Sequence, residues 1–168
     1  PLAARVREHE QPDDLSIGSP VDPTPDLVQA ALAAAADSPG YPTVAGARAT
    51  NDAFAQWMRR RAGVTAQDLG VFPSIGSKEL VSLLPMLLGL GAGDRVVVPE
   101  IAYPTYVVGA IVAGCEVVVS DDPEAARGAK LVWINTPGNP TGRVMSAEEL
   151  RAAIAAAREH GAIIASDE

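Results

Sequence analysis

Four short stretches of this chain carry groups suited to holding a charged aromatic ligand. Gly76, Ser77 and Lys78 stand together as a glycine, a small hydroxyl residue and a cation. Backbone N–H groups at such a glycine-led helix start can bind a phosphate. An aromatic ring, amide side chains and a carboxylate follow, within 103–106, 135–142 and 166–168. Together, the four stretches could hold a phosphorylated, protonated heteroaromatic cofactor.

Each stretch also has an ordinary structural explanation. The run 76–78 does not match the phosphate-binding loop of nucleotide hydrolases and could simply begin a helix. Tyr103 could be a core or surface tyrosine, and residues 136–142 could be a plain turn. Asp167 could cap a following helix. The ligand-binding interpretation is favoured because all four stretches follow predicted strands.

The elements around these stretches alternate as they do in a parallel sheet. Short apolar strands are predicted at 71–75, 95–98, 115–119, 131–134 and 162–165. Helices are predicted between them, over 77–88 and 104–113 and from the Ser146–Glu149 capping box to His160. Ligands bind in open α/β folds at the carboxyl ends of the strands, so the four stretches are expected to share that edge. The predicted fold class is α/β, with three α/β/α layers and a mainly parallel sheet.

Two further helices are predicted ahead of the first strand. Thr24 as N-cap and Pro25 at the first helical position indicate where the first of them begins. The second is predicted over 47–62 and ends at Gly63. Its buried side is expected to hold Ala49, Ala53 and Trp57.

Composition excludes several classes of protein. Of the 168 residues, 48% are hydrophobic and 20% are charged, which is too apolar for a disordered chain. A net charge of −8 without a basic cluster argues against nucleic acid as a partner. The sequence shows neither an apolar run of membrane-spanning length nor a signal-like opening segment. We therefore expect a cytoplasmic location and no membrane partner. One cysteine, Cys115, and two scattered histidines argue against disulfides and a metal site.

In the order of its motifs, the chain resembles the front half of a fold-type I, pyridoxal-phosphate-dependent aminotransferase of class I/II. The matching residues are 15–20, Tyr41, Gly46, 76–78, 103–106, 135–142 and 166–168. The resemblance covers nearly the whole chain, and the stretches at 139–142 and 166–168 are its most specific part. It implies that residues 1–38 contribute to a small domain and that 39–168 form the N-terminal half of the cofactor-binding large domain.

The resemblance also implies how the cofactor, pyridoxal 5'-phosphate, would be held. The backbone around Gly76, Ser77 and Lys78 would bind its phosphate. Tyr103 would stack on the pyridine ring, and Asn139 would donate a hydrogen bond to the phenolic oxygen.

Further roles follow from the same resemblance. Asp167 would pair with the protonated pyridine nitrogen. Tyr41 would reach the phosphate bound by the other subunit of a homodimer, and Gly18 would lie near the substrate carboxylate. The lysine that bonds covalently to the cofactor is not expected in this chain, because neither Lys78 nor Lys130 has its serine-rich context. The 168 residues alone are therefore expected to be inactive.

The stretches 39–42, 75–80 and 98–103 are similar to those of actinobacterial N-succinyldiaminopimelate aminotransferases. This similarity implies amino transfer between N-succinyl-LL-diaminopimelate and 2-oxoglutarate in lysine biosynthesis, so the partners would be an amino acid and a 2-oxo acid. Three alternatives stay open: another amino acid aminotransferase such as an aspartate type, a carbon–sulfur lyase on the same fold, and a non-catalytic ligand-sensing domain.

Overall fold

The computed structural model describes Gly18 and residues 20–64 and 70–168, and every structural statement below concerns these residues. The chain divides into two compact units, residues 1–44 and 45–168. The domain boundary expected after residue 38 stays a prediction.

The first unit contains helix α1, Asp26–Ala34. Pro25 is the N-cap of α1, with φ −55° and ψ 140°, rather than its first helical residue. The helix therefore begins one residue later than predicted. The backbone carbonyl of Thr24 accepts a 2.6 Å hydrogen bond from the Gln29 side chain, so the Thr24 backbone, rather than its side chain, is used at this helix start.

The second unit begins with helix α2, Arg48–Ala62, which ends as predicted at Gly63 in the left-handed conformation (φ +63°). The predicted buried side is wrong, because Ala49, Ala53 and Trp57 are exposed. The half-buried side chains at helical spacing are those of Asn51, Ala55 and Met58. Apolar residues occur around much of this helix, so their spacing did not identify the buried side.

The second unit is built on a four-stranded parallel sheet in the order β2-β1-β3-β4. Its strands are β1 Arg95–Val98, β2 Glu116–Val119, β3 Leu131–Asn135 and β4 Ile163–Asp167. The central strands β1 and β3 are the most buried, because helices cover both of their faces.

Helices cover both faces of the sheet. On one face, α3 (Ser77–Leu87) and α4 (Thr105–Val112) form a core with β1 and β3 that includes Tyr106 and Trp133. On the other, α5 (Ala147–His160) and a 3₁₀ turn (Pro123–Ala126) contribute Ala156 and Ala126 to a second core with Val97 and Val132. This arrangement confirms the predicted three-layer α/β/α fold.

The strand predicted at 71–75 is wrong. These residues form no β-ladder with the rest of the described chain. Phe72 and Ile75 are 76% and 94% exposed, and Pro73 has no N–H to donate. An apolar run alone indicated a buried strand, but neither sheet face receives these side chains.

Two local features fix the helices that flank the sheet. A Cβ on Gly109 of α4 would lie 2.7 Å from the carbonyl oxygen of Ser82, so only glycine allows α4 to approach α3 this closely. Helix α5 begins at the predicted capping box, in which Ser146 and Glu149 bond to each other's backbone N–H, and its C-cap is Gly161. Among the described residues, no helix combines the length and apolar character needed to cross a membrane.

Candidate active site

The carboxyl ends of β3 and β4 place Asp167 at the edge of the sheet. Asp167 is the last residue of β4 and pairs in register with Asn135, the last residue of β3. The Asn135 side-chain amide donates to the Asp167 carbonyl oxygen at 2.9 Å, and the Thr136 N–H donates to the same oxygen at 3.1 Å. The backbone that carries the Asp167 carboxylate is therefore fixed.

The Asp167 side chain is held by a buried tyrosine of α4. The Tyr106 hydroxyl donates to Oδ2 of Asp167 at 2.5 Å, and the Tyr106 ring stacks on Trp133 with 4.7 Å between centroids. Burial raises the pKa of Tyr106 far above its usual 10, and the hydrogen bond to Asp167 and that carboxylate's charge raise it further. Tyr106 therefore keeps its proton and serves as a permanent donor.

Tyr103 presents its ring beside this pair. It precedes α4, is half-buried, and meets Tyr106 edge-on at a centroid distance of 6.0 Å and an interplanar angle of 84°. Tyr103 also lines an open cleft of about 780 Å³ together with Lys78 and Thr105. Tyr103 and Lys78, the aromatic ring and the cation predicted from the sequence, thus line the same cleft.

The start of α3 supplies the features expected of a phosphate site. Gly76 is the N-cap, with a φ of +77° that favours glycine, and a Cβ there would meet no other atom within 4 Å. Ser77 and Lys78 follow as exposed residues of the first turn. Unpaired N–H groups and the helix dipole favour an anion at this end by about 0.3–1 kcal/mol.

Asn139 lies on the loop that follows β3. Its backbone N–H donates to the side-chain oxygen of Asn135 at 2.6 Å, and its own side chain is exposed. The loop also contains two cis peptide bonds, before Pro137 and before Pro140. The Asn135 side chain therefore bonds to the backbones of Asp167 and Asn139, two of the residues predicted from the sequence to hold the cofactor.

The structure links three of the sequence-predicted residues of the second unit and places a fourth, Lys78, in one cleft with Tyr103. Asp167, Tyr103 and Asn139 are joined through contacts of Tyr106 and Asn135, two residues to which the sequence interpretation assigned no role. Tyr106 lies in the stretch 103–106 and Asn135 in the stretch 135–142. The three-residue spacing of Tyr103 and Tyr106 indicates that their side chains lie on one side of a helix start, but it does not indicate the bond to Asp167. Tyr41 and Gly18 belong to the first unit and are exposed, so their roles stay predictions.

Three groups at this edge fit the parts of pyridoxal phosphate. A carboxylate held by a neutral donor suits a protonated ring nitrogen, Tyr103 offers a flat surface to the ring, and the start of α3 suits a phosphate. Within the described residues, no group of three or more His, Cys, Asp or Glu side chains could hold a metal ion. The carboxylate, the aromatic ring and the helix start together match an organic phosphate cofactor.

Comparisons with known proteins agree with this geometry. Residues 13–168 match the family described as aminotransferase class I and II. The chain is 46% identical to the 4-dedimethylamino-4-oxo-anhydrotetracycline transaminase OxyQ of Streptomyces rimosus, over 99% of the chain and 48% of that protein. It is 47% identical to the probable aminotransferase Rv1178 of Mycobacterium tuberculosis, over 92% of the chain and 38% of that protein.

More distant relatives share the fold and the family. An LL-diaminopimelate aminotransferase of Gloeobacter violaceus is 37% identical over 92% of the chain and 44% of that protein. The crystal structure of the aminotransferase AspB from Helicobacter pylori superposes with a TM-score of 0.88 at 26% identity, over 99% of the chain and 49% of AspB. The chain spans less than half the length of these relatives. It belongs to the class I and II aminotransferases, the family whose cofactor is pyridoxal 5'-phosphate.

Proposed function

We propose that the whole protein is an aminotransferase that moves an amino group between an amino acid and a 2-oxo acid. The observation that carries this proposal is the Asp167 carboxylate, fixed at the carboxyl edge of the sheet by Tyr106 and Asn135. The cleft that contains Tyr103 and Lys78 supports it, since it offers the ring surface and the phosphate end of the site.

When bound, the protonated pyridine ring of pyridoxal phosphate supplies an electron sink for the charge that develops at the substrate Cα. The Asp167 carboxylate holds the proton on the ring nitrogen. Two opposite charges about 4 Å apart attract by roughly 4 kcal/mol at an effective dielectric constant of about 20, so one carboxylate suffices. Tyr103 would cover one face of the ring against water, and the start of α3 would hold the phosphate, so that these residues would orient the cofactor for the substrate.

The test of this activity is cofactor binding by the full-length protein. The purified protein should bind pyridoxal phosphate with a yellow absorbance, and borohydride should then attach the cofactor irreversibly to the protein. A full-length protein that stays colourless at saturating cofactor would contradict the proposal.

For the substrate, we propose N-succinyl-LL-diaminopimelate as amino donor and 2-oxoglutarate as acceptor, as in lysine biosynthesis. The similarity of 39–42, 75–80 and 98–103 to N-succinyldiaminopimelate aminotransferases supports this choice. The LL-diaminopimelate aminotransferase relative at 37% identity supports a diaminopimelate-type substrate more generally.

A second candidate substrate is a ketone of the anhydrotetracycline type. The 46% identity to OxyQ, over almost the whole chain, favours it. A panel of amino donors and acceptors separates the candidates: N-succinyl-LL-diaminopimelate, LL-diaminopimelate, aspartate, cystathionine and a polycyclic ketone. The diaminopimelate proposal requires the highest kcat/KM with the succinylated donor, and a preference for the ketone would replace it with the second candidate. Release of a thiol from cystathionine would indicate a lyase instead.

A further inference from the structure

We infer that Tyr106 is a positioning residue that controls how strongly Asp167 attracts the proton of the cofactor's ring nitrogen, an inference that rests on the proposed function. Its hydroxyl donates to only one carboxylate oxygen, Oδ2, at 2.5 Å. That bond fixes the rotation of the carboxylate and leaves Oδ1 for the ring nitrogen.

The direction of the effect follows from the charge on Asp167. A hydrogen bond from a neutral donor draws negative charge toward Oδ2 and is stronger than a bond between neutral groups. The carboxylate then competes less well for the ring proton, which stays on nitrogen, where the electron sink requires it. Tyr106 acts on the reaction only through Asp167.

The surroundings of Tyr106 suit a donor that neither moves nor ionises. The residue is fully buried, its ring stacks on Trp133 with 22° between planes, and it makes a T-shaped contact with the Tyr103 ring. Close packing of α4 on α3 at Gly109 holds the helix that carries it. The raised pKa of the hydroxyl keeps it protonated at neutral pH.

The test uses the full-length protein loaded with pyridoxal phosphate that carries ¹⁵N in its ring. The ¹⁵N chemical shift measures the degree of protonation of the ring nitrogen. In Tyr106→Phe the resonance should move toward the position of an unprotonated pyridine nitrogen. The kcat should fall about tenfold while KM changes less than about twofold, the pattern of a lost transition-state interaction. An unmoved resonance in Tyr106→Phe would overturn the inference.

A second variant changes donor strength without removing the hydroxyl. Site-specific 3-fluorotyrosine at position 106 is a stronger donor, so the ¹⁵N resonance should move in the opposite direction, toward full protonation. Movement in the same direction as in Tyr106→Phe would contradict the inference, and this measurement stands even where Tyr106→Phe folds poorly.

Two controls separate this role from packing. Trp133→Phe loosens the stack but keeps the hydroxyl, so the resonance should move much less than in Tyr106→Phe; a displacement equal to that of Tyr106→Phe would overturn the inference. In an Asp167→Asn background, adding Tyr106→Phe should displace the resonance no further, because the two residues act as one unit. A wild-type protein that binds no pyridoxal phosphate would instead contradict the proposed function, so the two failures are distinguishable.

Discussion

Asp167 has its backbone and its side chain held by different partners. Asn135 and Thr136 bind its carbonyl oxygen, whereas Tyr106 binds its carboxylate. The orientation of the carboxylate therefore depends on Tyr106, whereas the end of β4 is held by backbone contacts that do not involve the Asp167 side chain. This separation allows the function of the carboxylate to be tested with little effect on the fold.

Replacing Asp167 with asparagine removes the charge and keeps an oxygen that can accept a hydrogen bond from the Tyr106 hydroxyl. We expect the transamination rate of the full-length protein to fall at least about 100-fold, because roughly 4 kcal/mol of charge attraction to the ring nitrogen is lost. Single-turnover kinetics measure this loss, and the thermal midpoint of the cofactor-free protein should change by less than about 2 °C. Normal turnover by Asp167→Asn would exclude the assigned role.

At the residue scale, the sequence predicts candidate site residues from their position after a strand. Asp167 and Asn139 follow apolar strands, and Tyr103 follows β1, so the rule for open α/β sheets nominated all three. The partnership of Tyr106 with Asp167 joins residues 61 positions apart. It depends on how α4 packs on β3, and no local pattern in the sequence contains that information.

At the element scale, the contact between α3 and α4 depends on Gly109. In Gly109→Ala the added Cβ would lie 2.7 Å from the Ser82 carbonyl oxygen and 3.0 Å from its Cα, and backbone atoms cannot yield as a flexible side chain does. The better helix propensity of alanine offsets about 1 kcal/mol of the clash. We expect a net loss of about 1–3 kcal/mol in the free energy of unfolding, seen as a lower thermal midpoint of the full-length protein.

Gly91→Ala is the matched control for that substitution. Its Cβ would lie at an ordinary 3.7 Å from the Ala113 carbonyl oxygen, and Gly91 has no positive φ. The free energy of unfolding should change by less than about 0.5 kcal/mol. Equal destabilisation by the two variants would show that the approach of α4 to α3 is not the cause.

The capping box of α5 predicts a dependence of stability on pH. The Ser146 N–H, then the Ser146 hydroxyl and the charge of Arg143, hold the pKa of Glu149 below its usual 4.5. A lowered pKa in the folded state stabilises the fold above the unfolded pKa, and the stabilisation disappears as pH falls through the folded pKa. Glu149→Gln keeps the cap's acceptor but loses the charge, so thermal midpoints of wild type and variant should differ at pH 7 and converge below about pH 4. A constant difference across this range would contradict the prediction.

The elements themselves were predicted well where apolar runs lie between helix signals. All four strands of the sheet were predicted within two residues at each end, because buried parallel strands are short and continuously apolar. The same signal failed at 71–75, where Phe72 and Ile75 are exposed. An apolar segment favours burial, but its composition does not say against what it is buried. Forming a strand also requires hydrogen bonds to a neighbouring strand, and the sequence of the segment alone does not show whether that neighbour is present.

At the scale of the whole molecule, Tyr41 tests whether the protein works as a homodimer. Its side chain is fully exposed in the single chain, which suits a residue that acts on a partner subunit. We expect the full-length protein to sediment as a dimer and Tyr41→Phe to bind pyridoxal phosphate about tenfold more weakly, since a charge-assisted hydrogen bond is lost.

Mixing two variants decides whether Tyr41 acts across the interface. In a heterodimer of Tyr41→Phe with Asp167→Asn subunits, one site would regain both native residues. At a cofactor concentration that leaves the Tyr41→Phe homodimer mostly unloaded, refolded mixtures should therefore recover up to about a quarter of wild-type activity. Each homodimer measured alone is the control. Mixtures no more active than the mean of the two homodimers would show that Tyr41 serves its own subunit or none.

The stack of Trp133 beneath Tyr106 also has an optical consequence. Indole emission overlaps the absorption of pyridoxal phosphate, and Trp133 is the buried one of the chain's two tryptophans, one ring removed from Asp167. Energy transfer from Trp133 should therefore quench the intrinsic fluorescence when the site fills. Trp133, one ring away from Asp167, is thus a natural fluorophore that can report, without any label, whether the proposed cofactor site is filled.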